Sequence, residues 1–167
     1  MFFVHRSLLG LGLLLLSLGL RPSLRSLRRR SWRVLAESEG PRFGGIQHAG
    51  VLVADTAASK AFYLEVFGFL DDTHLRPGSL PFDGAFVRCG SSQIHLMQLP
   101  NPDPTTGRPE HGGRDRHVAL TVNDIDVIRE RLAQRGMPFT MSKSGRRALF
   151  CRDLDGNAFE FIEDSDL

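Results

Sequence analysis

The chain has 167 residues, 41% apolar and 24% charged, with a net charge of +2. That is one globular domain's worth, and it excludes a fibrous repeat or a disordered polyelectrolyte. Two cysteines, Cys89 and Cys151, exclude a disulfide framework and any C-x-x-C zinc or redox motif. The basic balance is local: residues 1–45 carry eight arginines against Glu37 and Glu39, a net +6, whereas the other 122 residues hold 13 basic and 17 acidic side chains, a net −4. A mildly acidic folded part takes away the electrostatic support for nucleic-acid binding.

Leu8–Leu20 (LLGLGLLLLSLGL) is an apolar run of thirteen residues, short of the roughly 20 that a membrane-spanning helix needs. RPSLRSLRRRSWR follows, rich in Arg and Ser and free of acids before Glu37. The first stretch suits a signal peptide and the second an organelle transit peptide. The series is expected to be a targeting segment over residues 1–42. It is read either as a two-part address to a plastid or as a plain mitochondrial or chloroplast presequence, with a membrane anchor as the third alternative. The mature domain, 43–167, is expected to make no stable membrane insertion.

Beyond it, Ile46–Val53 (IQHAGVLV) reads as a buried strand. Asp55 and Thr56 supply N-cap chemistry, and Ala57, Ala61, Phe62, Leu64 and Phe67 carry a helix that Gly68 stops. Strands are predicted over Phe69–Leu75, Phe82–Cys89 and Gln93–Leu99, separated by Pro/Gly or Gly/Ser turns. Asn101–Gly113 is a Pro/Gly-rich linker. The order then repeats: strand Arg116–Val122, a helix capped by Asp124 with the stripe Ile125, Ile128, Leu132 and Ala133 stopped by Gly136, then strands Pro138–Met141, Arg147–Arg152 and Ala158–Ile162. Asp155-Gly156-Asn157 marks the last tight turn.

The fold class is therefore α+β, two βαβββ modules (46–99 and 115–163). Setting His48 over His117 aligns Val53 with Val122 and Asp55 with Asp124. A small further shift sets His95 over Glu160. Polar residues thus fall on matching positions where strands expect apolar ones. Imidazoles with a carboxylate suit one divalent first-row metal ion, with Zn, Ni, Mn and Fe all admissible. Unpaired burial of Glu160 would be costly, so it needs a metal or an arginine as partner. Arg116 and Arg146 are weaker candidates, for the anionic group of a substrate. His111, His74 and His5 are read as loop, surface and targeting residues, Asp153 and Asp155 as turn formers, and the cysteines as strand thiols.

The stretches GIQHAGVLVADTAASKAFYLEVFGF, GSSQIHLMQLPNPDPTTGRPEHGGRDRHVAL and FCRDLDGNAFEFIE resemble the vicinal oxygen chelate superfamily. It covers glyoxalase I, fosfomycin-resistance proteins, extradiol dioxygenases and bleomycin-resistance proteins. The flavour is that of glyoxalase-like proteins of plants and cyanobacteria. The resemblance implies a cup-shaped mixed sheet with the metal inside, held by His48, His95, His117 and Glu160. It also implies Glu160 as catalytic base, a small-molecule substrate, glutathione as a candidate co-substrate, and a homodimer as an admissible assembly. Glyoxalase I usually has a glutamate where this chain has His95, which argues against the standard glutathione-hemithioacetal isomerase (a lyase by class). The alternatives are an Fe(II) extradiol-type dioxygenase and a non-catalytic small-molecule-binding protein.

Overall fold

Asp55 opens the first helix by accepting the Ala58 backbone N–H at 3.0 Å, with its own backbone extended. Asp124 does the same for the second through Asp126 N–H at 2.8 Å. These caps fix where each strand hands over to its helix. The computed structural model describes residues 40–104 and 106–167. The chain divides into two units, Met1–Phe43 and Gly44–Leu167. The segment expected to be a targeting sequence lies outside the described residues except for Gly40, Pro41 and Arg42. Among the described residues no helix is long and apolar enough to cross a membrane.

Unit Gly44–Leu167 contains, in order, β1 (His48–Val53), α1 (Thr56–Phe62), β2 (Leu70–Asp71), β3 (Gly84–Cys89), β4 (Ser92–Gln98), β5 (His117–Val122), α2 (Ile125–Gln134), β6 (Phe139–Met141), β7 (Ala148–Arg152) and β8 (Ala158–Glu163). Two departures from expectation stand out. The first helix continues past Phe62 as a wide π turn, Tyr63–Phe67, before Gly68 ends it at φ 76°. The strand expected over Phe69–Leu75 shrinks to two residues followed by a 3-10 turn, Thr73–Leu75. Its cause is local: the Asp71 carboxylate accepts the Thr73 N–H at 2.8 Å, which takes that donor from the strand ladder.

The strands form two four-stranded mixed sheets, ordered β1-β4-β3-β2 and β5-β8-β7-β6. In each, the first strand runs parallel to the fourth, and the register is the same: Gly50 opposes His95 as Ala119 opposes Glu160. Phe86 opposes His95 as Phe150 opposes Glu160. The sequence repeat is thus a structural one.

One face of each sheet enters a common core. Val51, Val53, Ala85, Val87, Ile94 and Leu96 from the first sheet meet Leu149, Cys151, Phe159 and Phe161 from the second, with Phe62, Tyr63, Val66 and Phe67 and the α2 stripe Ile125, Ile128 and Leu132 packed against them. The rings of Tyr63 and Phe67 lie against Phe159 and Phe161, so the first module's helix packs on the second module's sheet. The β7–β8 turn adds a polar clasp. Tyr63 donates to Asp153 at 2.6 Å, Asn157 donates to the Leu52 carbonyl, and Asp155 accepts from Ala54 N–H and Ser59. The aspartates read as turn formers therefore also join the two modules. Burial raises the pKa of Asp153 against these hydrogen bonds, and burial with the Asp153 charge raises that of Tyr63.

Candidate metal centre

Strand alternation puts the polar repeat positions on the sheet faces turned away from this core. In the second sheet His117 lies on β5 and Glu160 on β8, one diagonal step apart. Glu160 is only 5% exposed, walled by Phe150, its register partner on β7. Gly112 and Gly113 let the preceding turn lie on that ring, since a Cβ at 113 would meet it at 3.0 Å. Glu160 is not left bare: Oε2 is 3.2 Å from His117 Nε2, and Oε1 accepts from Arg146 at 3.1 Å.

The His117 tautomer follows from its other nitrogen. Nδ1 is 2.8 Å from the Asp115 carbonyl, an oxygen that can only accept, so Nδ1 carries a proton. In the neutral ring Nε2 then aims a lone pair at a carboxylate oxygen, and that contact needs a proton or a cation between the two atoms. Two donors 3.2 Å apart match neighbouring ligands of one ion at about 2.1 Å from each. An outer carbonyl that fixes the imidazole is the usual support of a ligating histidine. Asp115 itself is anchored by Arg108 and Arg152 at 2.8 and 2.9 Å. The Arg108 hydrogen bond, with a smaller one from Arg152, lowers its carboxyl to about 2.

The first sheet holds the corresponding pair, built differently. His48 is exposed on β1, with Nδ1 turned to the Gln47 side-chain oxygen. His95 on β4 lies between two rings: His48 at 3.9 Å and Phe86 at 3.5 Å, both nearly parallel. Its Nε2 faces Gln93 Oε1 at 3.1 Å, and Gln93 in turn donates to the buried Asp72 at 2.9 Å. That relay fixes the His95 tautomer with Nδ1 free. Burial, and secondarily His48, lowers its pKa, which keeps the ring neutral, as a ligand must be. Gln93, Asp72, Phe86 and Arg88 line a cavity of about 800 Å³ over this face.

The structure thus brings the four expected ligands together as two pairs, His48 with His95 and His117 with Glu160. Among the described residues no group of three or more His, Cys, Asp or Glu side chains converges. Arg146 joins the second pair, whereas Arg116 gives its guanidinium to Asp103 and points elsewhere. His111 touches the Phe150 ring but is tied to Thr140 at 2.7 Å. A second cleft, about 970 Å³, runs from the linker to β6 and β7 and reaches Phe150, but neither ligand pair lines it. Cys151 is buried in the core, where burial pushes its thiol up to about 12, and Cys89 is half-buried. Sequence reading missed Gln93, although its place two residues before His95 on one strand face was a usable signal. It also missed Asp72, whose position depends on the turn that replaced a predicted strand.

The two matching four-stranded sheets make the fold a duplicated βαβββ module. The sequence model of the Glyoxalase/Bleomycin resistance protein/Dioxygenase superfamily matches residues 45–161, and the chain belongs to that superfamily. It is 31% identical over 127 residues to the uncharacterized protein YaeR of Escherichia coli, covering 71% of this chain and 95% of that one. It is 28% identical over 120 residues to Glyoxylase I 4 of Arabidopsis thaliana, covering 69% and 68%. Among solved structures, a variant of the fosfomycin resistance protein FosX of Listeria monocytogenes, complexed with Mn(II) and 1S,2S-dihydroxypropylphosphonic acid, shares the fold. Its TM-score is 0.56 at 20% identity, over 73% of this chain and 93% of that one.

Proposed function

We propose that this chain is a metal-dependent, glyoxalase-like enzyme acting on a small substrate that presents two neighbouring oxygens. The observation that carries the reading is the His117–Glu160 pair, a tautomer-fixed imidazole nitrogen facing a buried carboxylate oxygen at 3.2 Å. His48, His95, His117 and Glu160 would hold the ion. Each pair supplies half of a usual ligand set, and both lie on outer faces of sheets that share a core. A second copy that lays its first module against this chain's second module would join them, so the reading includes a homodimer. A bound divalent ion would supply Lewis-acid stabilisation of an oxyanion developing on the substrate.

The protein's own groups have distinct tasks in this reading. Glu160, shielded by Phe150, takes a proton from the substrate carbon and returns it to the neighbouring one. Phe150 and Phe86 keep water from the two faces. The Asp115 carbonyl and the Gln93–Asp72 relay hold His117 and His95 in their ligating tautomers. With His95 in place of a second carboxylate, one proton carrier is missing relative to glyoxalase I. Weak turnover of the glutathione adduct of methylglyoxal is expected, with a moderate gain in His95→Glu.

The test is metal analysis of the purified protein after loading with Mn, Ni, Zn or Fe, then a side-by-side isomerase assay of wild type and His95→Glu. About one chelatable ion per chain is expected, and a folded protein that stays metal-free after loading overturns the reading. The sandwich of His95 between His48 and Phe86 favours one second reading. If His95 stays off the metal, His48, His117 and Glu160 form a 2-His-1-carboxylate face, as in Fe(II) extradiol-type dioxygenases. Oxygen uptake with a catechol on the iron-loaded protein distinguishes it.

A further inference from the structure

Among the described residues Arg146 is the one cation on Glu160, and, like Arg88 on the buried Asp72, it reaches a buried acid from solvent. Arg108 and Arg152 are themselves largely covered, 13% and 22% exposed, and hold Asp115 in place. Arg146 is 58% exposed while its carboxylate is 6% exposed. It comes from the loop between β6 and β7, where its other tie is a 3.2 Å hydrogen bond from Nε to Ser144 on the same loop. Gly145 beside it turns at φ 82°. The pair is thus asymmetric: the carboxylate is fixed in a wall of aromatic carbon, and the guanidinium reaches in from solvent. At the matching position of the first sheet stands a histidine, His95, with no carboxylate to neutralise, and the exposed cation there, Arg88, goes to Asp72 instead.

The carboxylate's buried charge needs a partner at all times, and Arg146 supplies it on Oε1 while Oε2 faces His117. A divalent ion bound by His117 and Glu160 would satisfy the same charge and repel the guanidinium a few ångströms away. Little holds Arg146 against that repulsion, since it returns to water by a side-chain rotation. From the mouth of the site its planar donors suit a carboxylate or phosphate-like group on a metal-bound molecule. We propose that Arg146 is a placeholder cation. It neutralises Glu160 in the metal-free protein, yields that charge to the incoming ion, and then serves as the anion-binding residue at the mouth of the loaded site. This rests on the metal-site reading above and goes beyond it, giving one side chain two successive partners.

The test uses the full chain and two probes, Mn(II) and inorganic phosphate. Calorimetric titration should show Arg146→Ala binding Mn(II) about fivefold more tightly than wild type, the size of one partly exposed ion pair. Once loaded with Mn(II), the same variant should bind phosphate about fivefold more weakly. Arg146→Lys, which keeps the charge, should stay near wild type for Mn(II) and fall between the two for phosphate. The opposite signs are the signature, because a merely structural role would move both affinities the same way. In the metal-free protein, Arg146→Ala should lower the Tm in the wild-type background and leave it unchanged in the Glu160→Gln background. Unchanged or weaker Mn(II) binding by Arg146→Ala overturns the placeholder, and unchanged phosphate binding overturns its second role. If wild type itself takes up no Mn(II) while remaining folded, the metal reading fails and this inference fails with it. If wild type binds Mn(II) and Glu160→Gln does not, only the behaviour of Arg146 is on trial.

Discussion

The two modules share one register and differ in how they hold their pair of candidate ligands. In the second, His117 is fixed by a backbone carbonyl whose own residue is clamped by two arginines, and its partner is a buried acid with a compensating cation. In the first, His48 is fixed by the exposed Gln47 side chain, and His95 is held by ring stacking and an amide relay. The second module offers a rigid, charged half-site and the first a neutral, aromatic one. One scaffold therefore specifies where a ligand goes, while its charge is decided by the single residue at the matching fourth-strand position.

The sharpest way to break this contrast is to remove ligands module by module. His117→Ala or Glu160→Gln should weaken metal retention more than about a hundredfold, because an open site loses a large share of its binding energy with one ligand. His95→Ala should cost less, about tenfold, since a neutral ring brings no charge to the ion. Equal losses in both modules, measured by metal analysis after dialysis, would erase the distinction.

The clasp between modules comes next. Tyr63→Phe removes the donor to a buried carboxylate and should cost about 1–3 kcal/mol, seen as a fall of several degrees in the Tm of the metal-free protein. No change would mean that this hydrogen bond adds nothing to what the aromatic core and the Asn157 and Asp155 bonds already hold. The relay beneath His95 should matter less: Gln93→Leu leaves the ring free to take either tautomer and should weaken metal binding about tenfold or less. No loss at all would show that the stacked rings of His48 and Phe86 fix His95 without the relay.

The smallest effect is acid dependence from Asp115. Its carboxyl titrates at about 2 in the folded protein, against about 3.9 in an unfolded chain. Its contribution is therefore complete above about pH 4 and is lost as pH falls through 2. Asp115→Asn should flatten that part of the pH–stability curve without moving the His117 ring, whose hydrogen bond goes to the backbone. A concurrent loss of metal binding at neutral pH would show that the arginine clamp, and not the carbonyl alone, sets the second module's rigidity.

Much of this was legible before any coordinates. Caps at Asp55 and Asp124, stops at Gly68 and Gly136, and the alternation along β1, β3, β4 and β5 are set by residues a few positions apart, so local chemistry determines them. The repeat was legible for the same reason, and aligning His48 with His117, with a small further shift, placed His95 over Glu160. Local patterns could not show that Asp71 would capture Thr73 and end a strand early. They gave Arg116 and Arg146 equal standing, because only the folded loop shows which guanidinium reaches Glu160. The separation of the ligands into two pairs lay furthest from view. The sequence determined which residues share a sheet face, since that follows from a period of two. Which of those faces would be buried together was decided by the tertiary structure. The first module's helix packs Tyr63 and Phe67 against Phe159 and Phe161, across about a hundred residues of chain, and no local pattern encodes a contact between segments so far apart.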